Sequence, residues 1–148
     1  MKENPLSDIR PLTASDYNEV LNIWEKSVRA THHFLKPEEI AFYRPFILKY
    51  ALPELRQLFG IHDSNGLCGF IGLSEHKIEM LFIAPQYFRL GLGTKLLNHA
   101  ITLGYKQIDV NEENPEALKF YRHRGFKIIS RDELDDNGKP HPILHLSL

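Results

Sequence analysis

The segment Leu81–Thr94 places the strongest constraint on what this chain can fold into. Apolar residues run into a loop with two alternating glycines, Gly91-Leu92-Gly93, and a helical pattern follows at once. Glycine lets a backbone approach a ligand closely, and a helix N-terminus offers unpaired amides at the positive end of its dipole. The segment therefore predicts a diphosphate site built from backbone amides, with an ordinary strand-to-helix turn as the alternative.

Two common nucleotide-binding motifs do not fit this loop. A Walker loop is excluded because Gly93-Thr94-Lys95 has the wrong order and position 88, five residues before Gly93, is phenylalanine. A dinucleotide fingerprint is excluded because Leu96 stands where the third glycine is required. The loop alone therefore leaves the ligand open.

The surrounding pattern predicts a mixed α/β fold in one domain that spans residues 1–148. Helices are expected from the Thr13 cap through Val28, from Pro37, over Thr94–Leu103 and over Pro115–Arg124, with Pro45 expected to break or kink the second. The Asn65-Gly66 pair predicts a tight hairpin. The predicted strands are Ser7–Pro11, Leu58–His62, Leu67–Leu73, Lys77–Ile83, Gln107–Val110, Phe126–Ser130 and Pro142–Leu148.

Composition excludes several functional classes. With 18 Lys and Arg against 19 Asp and Glu, the net charge of −1 creates no broad positive field to attract nucleic acid. No apolar run approaches the roughly 20 residues that span a bilayer, and the first residues lack the apolar core of a signal peptide. Cys68 is the single cysteine, so no intramolecular disulfide or cysteine-only metal cluster forms. A cytoplasmic protein that binds neither membrane nor nucleic acid is expected.

A second motif follows the glycine loop after one helix and one strand. It reads Asn114-x-x-Ala117-x-x-Phe120-Tyr121-x-x-x-Gly125-Phe126. With the Gly91-x-Gly93 loop before it, the chain resembles the GNAT superfamily of acyl-CoA-dependent N-acetyltransferases over essentially its whole length. Within that superfamily it is most similar to the small bacterial YjaB-type members, through Trp24–Leu35, Asn111-Glu112 and Asp135–Pro140.

This resemblance implies a fold, a reaction and a cofactor site. The fold would be a mixed, mostly antiparallel sheet of six to seven strands flanked by about four helices, with the strand Lys77–Ile83 splayed from Gln107–Val110. The reaction would be direct attack of a primary amine on the thioester of acetyl-CoA, without a metal. The implied cofactor-binding residues are Phe82, Ile83, Phe88, Arg89, Leu90, Gly91, Leu92, Gly93, Thr94, Asn111, Asn114 and Phe120. Phe88 departs from the glutamine or arginine usual at the first loop position, so backbone rather than side-chain contact with the cofactor is expected there.

Each residue near the reaction has a functional and a structural interpretation. By resemblance, Tyr121 is the general acid that protonates the leaving thiolate, although a half-buried packing role is the alternative. Asn114 would bind the pantetheine or phosphate portion, and would also suit the N-cap before Pro115. Asn111 either bridges cofactor and substrate or caps a strand end.

The residue that removes a proton from the amine is less defined. Glu79 is the one carboxylate in the strand Lys77–Ile83 and could accept a proton at a cleft edge, but a solvated strand residue is the simpler interpretation. His32 is a candidate for the acceptor-binding site, because family members shape that site with this segment. A water chain is the third candidate for the base. The other histidines are too scattered to predict a zinc site.

The acceptor is either a small-molecule amine or a protein amine. A non-catalytic acetyl-CoA or CoA sensor is the alternative function, since it would keep the loop but would not need a proton donor at Tyr121. GNAT folds often pair through their C-terminal strands, which makes Pro142–Leu148 a candidate edge for a homodimer.

Overall fold

The computed structural model describes residues 8–148, so Ser7, the first residue of the predicted first strand, lies outside the described residues. Its strands form one sheet in the order β1-β2-β3-β4-β5-β7-β6. All neighbouring pairs are antiparallel except β4 and β5. The strands are β1 (Asp8–Pro11), β2 (Gln57–Asp63), β3 (Gly66–Leu73), β4 (Ile78–Ile83), β5 (Gln107–Asn111), β6 (Lys127–Asp132) and β7 (Ile143–Ser147).

Four helices of eight or more residues and one single-turn helix flank this sheet among the described residues. They are α1 (Tyr17–Thr31), α2 (Pro37–Phe46), the single turn α3 (Leu52–Glu54), α4 (Leu92–Thr102) and α5 (Pro115–Arg122). The predicted order of elements is confirmed, and most ends differ by one or two residues. The difference matters at α4, because its start at Leu92 puts Gly91 at the N-cap and Gly93 in the first turn.

The helical path continues through Pro45, so the predicted interruption takes a milder form. The helix α2 contains Pro45 and passes through a π-helical segment, Ile47–Ala51, into α3. A proline removes one backbone donor, and the widened turn absorbs the mismatch. Burial of Ile40 and Leu52 in one hydrophobic cluster with α1 holds the two parts together.

The sheet separates two hydrophobic clusters, one on each face. The α1 and α2 side contains Trp24 and Phe70, while the α4 and α5 side contains Leu96 and Phe126. Successive residues of β4 serve the two faces in turn, with Met80 and Phe82 toward the first cluster and Leu81 and Ile83 toward the second. The end of β4 is therefore held between both layers of helices.

The predicted dimer edge at Pro142–Leu148 is wrong. The strand β7 pairs with β5 on one side and with β6 on the other, so its backbone groups are already used within the sheet. Among the described strands, the outer ones are β1 and β6. An unpaired edge is what another chain would extend.

Candidate active site

The strands β4 and β5 separate after one paired position, and this split opens the site. Ile78 pairs with Ile108, whereas β5 and β7 remain paired from Gln107 to Asn111. The splay predicted by resemblance is confirmed. Beyond Ile78, the backbone groups on the β5 side of β4 have no strand partner, so they remain available to a ligand.

A cleft of about 630 Å³ lies at this split. Its walls come from the C-terminal end of α1, the last residues of β4, the glycine loop and α5. Phe82 and Ile83 line it, as the sequence predicts for a cofactor arm along β4. A cleft of this size accommodates an extended small-molecule ligand.

The glycine loop carries a run of free backbone amides at the N-terminus of α4. Arg89 and Gly91 both have positive φ, 65° and 83°, which turns successive amides toward one side. The amides of Arg89 through Thr94 donate to no acceptor among the described residues, and the first helical bond runs from Lys95 N to Gly91 O at 3.1 Å. A left-handed non-glycine residue such as Arg89 costs backbone energy and is concentrated at binding sites.

Most predicted loop residues line the cleft with their own atoms. Phe88, Arg89, Gly91 and the helical residues 92–94 do so, but Leu90 does not. The Leu90 side chain is 56% exposed, so its amide is the group it can offer. At Gly93, a Cβ would lie 3.4 Å from Cζ of Phe120, so the loop and α5 approach each other closely here.

Asn114 is the N-cap of α5, and its position is compatible with both of the roles considered from sequence. Its Oδ1 accepts from Ala117 N at 3.2 Å, which is an N-cap bond. With Oδ1 used in this bond, the Nδ2 atom of Asn114 faces Nε2 of His32 at 3.4 Å. Asn114 therefore caps α5 and lines the cleft at the same time.

Tyr121 combines a buried ring with an unsatisfied hydroxyl. The residue is 6% exposed and packs edge-on against Phe120 and Phe126, with ring centroids 5.0 and 5.7 Å apart. No side chain or backbone group of residues 8–148 hydrogen-bonds its hydroxyl, and the residue lines the cleft. Burial raises the pKa of Tyr121, and nearby Arg124 only partly opposes this. The phenol is therefore a neutral proton donor at physiological pH.

His32 lines the cleft from the opposite wall, and its surroundings fix its tautomer. The Thr31 hydroxyl donates to Ser27 O at 2.8 Å, so its oxygen must accept from Nδ1–H of His32 at 2.7 Å. The lone pair of His32 therefore lies on Nε2, toward Asn114. Burial lowers the pKa of His32 to about 4, with His33 acting in the same direction.

Two predicted residues lie outside the cleft. Glu79 is the extra residue in a β-bulge, because Gly72 pairs with Met80 while Leu73 pairs with Ile78. Its side chain is exposed and does not line the cleft, since the bulge breaks the strand alternation on which its placement depended. Asn111 ends β5 outside the cleft lining, and its Oδ1 accepts from Glu113 N at 2.9 Å.

A buried histidine fastens the wall that carries His32. The His141 side chain is 10% exposed and hydrogen-bonds Glu39 through Nε2 at 2.8 Å and Glu113 through Nδ1 at 2.7 Å. Phe34 lies between this histidine and His32, with ring centroids 5.8 and 5.2 Å away. The arrangement ties the α1–α2 loop to α2, to the β5–α5 turn and to the segment before β7.

Sequence reasoning missed Arg124, Tyr87 and the last turn of α1. Arg124 lines the cleft and hydrogen-bonds Thr94, while Tyr87 lines it and donates to Asp63 at 2.8 Å. Ser27 and Thr31 line it through α1. Arg124 follows Phe120 by four residues, so the predicted helix Pro115–Arg124 placed both on one face, but the contact of Arg124 with Thr94 depends on how α5 packs against α4.

Comparison with known proteins decides the family. The profile of a family described as acetyltransferase (GNAT) domain matches residues 54–128. Peptidyl-lysine N-acetyltransferase YjaB of Salmonella typhimurium is 36% identical over 140 residues, which cover 94% of this chain and 96% of that protein. The chain belongs to the GNAT acetyltransferases. It is therefore an N-acetyltransferase, and the family uses acetyl-CoA.

Solved structures of GNAT acetyltransferases agree with this fold. The solution structure of apo-form YjaB from Escherichia coli matches with a TM-score of 0.86 and 35% identity, and the match covers 95% of each chain. The PaiA N-acetyltransferase of Thermoplasma acidophilum, solved in complex with coenzyme A, has a TM-score of 0.74 at 20% identity over 95% of this chain and 98% of that one. That second likeness supports the fold alone.

Two further properties of residues 8–148 bear on this GNAT acetyltransferase. Within that range, no helix is both long and apolar enough to cross a bilayer. The same range contains no grouping of three or more histidine, cysteine or acidic side chains placed to hold a metal ion.

Proposed function

We propose that this enzyme binds acetyl-CoA in the cleft, with the diphosphate at the free amides of Arg89–Thr94, and acetylates the lysine side chain of a protein. The observation that supports this cofactor site is the run of free amides, which adjoins the split between β4 and β5. Backbone N–H groups at a helix N-terminus are suited to phosphate oxygens.

The residues of the cleft fit the cofactor in shape as well as in charge. Positive φ at Arg89 and Gly91 turns the amides toward one side, and the missing Cβ at Gly93 keeps the approach over Phe120 open. The backbone of Ile83, which faces the open side of β4, would hold the pantetheine amides in the manner of an added strand, while the backbone of Phe82 pairs with Phe70 of β3. Acetyl-CoA, when bound, supplies the acetyl group as an activated thioester.

Tyr121 would act on the sulfur side of the reaction. Its hydroxyl is free of partners among the described residues, and burial raises its pKa, so it is protonated and neutral at physiological pH. As the C–S bond breaks, the phenol would donate its proton to the leaving thiolate, and the phenolate would then regain a proton from solvent. Phe120 and Phe126 hold the ring so that its motion is restricted.

His32 would act on the amine side as a hydrogen-bond acceptor rather than as the final base. Its Nε2 lone pair faces the cleft wall, but its pKa is about 4. Moving a proton from a lysine ammonium of pKa near 10.4 to such a group would cost roughly 9 kcal/mol. We infer that the amine reaches His32 in its neutral form and that solvent takes its proton. Glu79 does not line the cleft, so it would not serve directly.

Protein lysine is the acceptor class that the relatives favour. The YjaB relative of Salmonella typhimurium is named a peptidyl-lysine N-acetyltransferase and matches nearly end to end.

The test measures acetyl transfer with acetyl-CoA to lysine-containing peptides and, at equal amine concentration, to polyamines. Transfer to peptide lysine with release of free thiol is expected, and preference for polyamines would contradict the acceptor class. A sensor without catalysis would gain thermal stability from acetyl-CoA, since any ligand of the folded state stabilises it, but would release no thiol above the uncatalysed rate.

A further inference from the structure

Arg124 is a cation without a carboxylate partner among the described residues. Its guanidinium carbon lies 3.8 Å from the centroid of the Phe120 ring, and its Nη1 donates to the Phe120 carbonyl at 2.8 Å. Its Nε donates to Oγ1 of Thr94 at 3.1 Å, and its Nη2 donates to the same oxygen. None of the ion pairs in residues 8–148 includes it.

The start of α4 beside Arg124 carries positive partial charge and offers no anion to the guanidinium. Thr94 is in the first turn of α4, where the helix dipole is positive and the amides of residues 89–94 are unpaired. The first turn of α4 contains no acidic residue. The Phe120 carbonyl at the C-terminal end of α5 offsets part of the charge of Arg124, and a bound anion would neutralise the guanidinium and the positive end of α4 together.

The free donors converge on one part of the cleft. Arginine has five N–H donors, and three of those of Arg124 are used. The Thr94 hydroxyl oxygen accepts from Arg124, and its hydrogen has no acceptor among the described residues. Both residues line the cleft, beside the free amides. A planar guanidinium matches paired phosphate oxygens in geometry as well as in charge.

We propose that Arg124 binds the diphosphate of acetyl-CoA with its free N–H groups, together with the Thr94 hydroxyl. Stacking on Phe120 and the bonds to Thr94 hold the guanidinium in place, so little side-chain freedom is lost when the anion binds. This inference rests on the proposed binding of acetyl-CoA in the cleft.

The test compares Arg124→Gln with Arg122→Gln by calorimetric titration with CoA. Arg122 is the last residue of α5, two positions before Arg124, and does not line the cleft, so its variant reports the loss of one positive charge alone. Arg124→Gln is expected to weaken the Kd about 10- to 100-fold, the size of a hydrogen-bonded charge contact. Arg122→Gln should stay near wild type, and Arg124→Lys should fall between, because it keeps the charge without the planar fork.

Two truncated ligands locate the contact. With 3′-dephospho-CoA, Arg124→Gln should show the same fold loss as with CoA, because the diphosphate is still present. With S-acetylpantetheine, which has no phosphate, kcat/KM of Arg124→Gln should match wild type. A loss that disappears with 3′-dephospho-CoA would place Arg124 on the 3′-phosphate and overturn the assignment. An equal loss with S-acetylpantetheine would show a structural role and also overturn it.

The inference and the proposed function fail in different ways. Wild-type protein that binds no CoA would contradict the proposed cofactor site. Wild-type protein that binds CoA, with Arg124→Gln no weaker than Arg122→Gln, would contradict the role of Arg124 alone. The thermal midpoint of each variant is measured beside its Kd, and Arg124→Lys carries the comparison if Arg124→Gln unfolds.

Discussion

Replacing His141 by glutamine is expected to destabilise the fold of the enzyme strongly, although His141 does not line the cleft. The imidazole bonds two carboxylates, Glu39 at 2.8 Å and Glu113 at 2.7 Å, from separate segments of the chain. The variant loses these two bonds and leaves the two carboxylates close together without the cation between them. The lost bonds and the repulsion between the carboxylates destabilise the same junction, which holds the α1–α2 loop and His32.

The size of the loss follows from burial. Removing one partner of a buried ion pair costs about 3–5 kcal/mol. Here the Glu39 and Glu113 side chains are 20% and 37% exposed, so water compensates part of the loss and about 2–3 kcal/mol is expected. At about 2.1 cal/mol/K per residue, a chain of 148 residues would then lose roughly 6–10 °C in its thermal midpoint.

The difference in stability between wild type and His141→Gln should depend on pH in a defined direction. Burial opposes the charged form of His141, but the hydrogen bonds to Glu39 and Glu113 outweigh it and raise its pKa. Its stabilisation is therefore complete below the ordinary value of 6.5 and is lost as pH rises through the folded-state pKa. The hydrogen bond to His141 lowers the pKa of Glu39, so that contribution is present above 4.5 and is lost as pH falls.

Thermal unfolding of wild type and His141→Gln across this range is the measurement. The gap in midpoint should be largest between about pH 4.5 and 6.5 and should shrink in alkaline buffer. His76→Gln is the control, because that side chain is 84% exposed and should shift the midpoint little at any pH. A gap that is constant with pH, or that widens on the alkaline side, would refute the reasoning.

Three further predictions concern the cleft. Gly91→Ala should lower stability by about 1–2 kcal/mol, because φ is 83° there, and should weaken acetyl-CoA binding; unchanged affinity would contradict the loop assignment. Asn114→Ala should cost about 1 kcal/mol as a lost N-cap and should also raise KM for the amine, and an unchanged KM would leave it a cap alone. His32→Phe should raise KM for the amine without changing the shape of the pH–rate profile above pH 6, since the pKa of His32 is about 4. If the variant lost the pH-dependent limb that wild type shows in this range, His32 would be the base.

Local pattern predicted the elements of this fold well. Periodicity and the Asn65-Gly66 turn located the strands and helices, because one face of each is buried in one of two clusters. The two glycines predicted the free amides for the same local reason, since left-handed φ at Gly91 and the start of α4 depend on neighbours in sequence.

What the sequence did not predict depends on register or on contacts between distant elements. Alternation misplaced Glu79 because the bulge opposite Gly72–Leu73 comes from the pairing with β3. The C-terminal strand was taken for an edge, but β6 pairs on its outer side. The site of Arg124 depends on how α5 meets α4, a packing that no local pattern contains.

Calorimetric binding of acetyl-CoA and steady-state transfer to a lysine peptide, both measured for wild type and Tyr121→Phe, test the central claim most directly. The substitution keeps the ring packed between Phe120 and Phe126 and removes only the hydroxyl. Acetyl-CoA affinity near wild type with transfer slowed by about 10²- to 10⁴-fold is the predicted result. Lost affinity with an unchanged rate of transfer, or binding by wild type without any transfer, would contradict it.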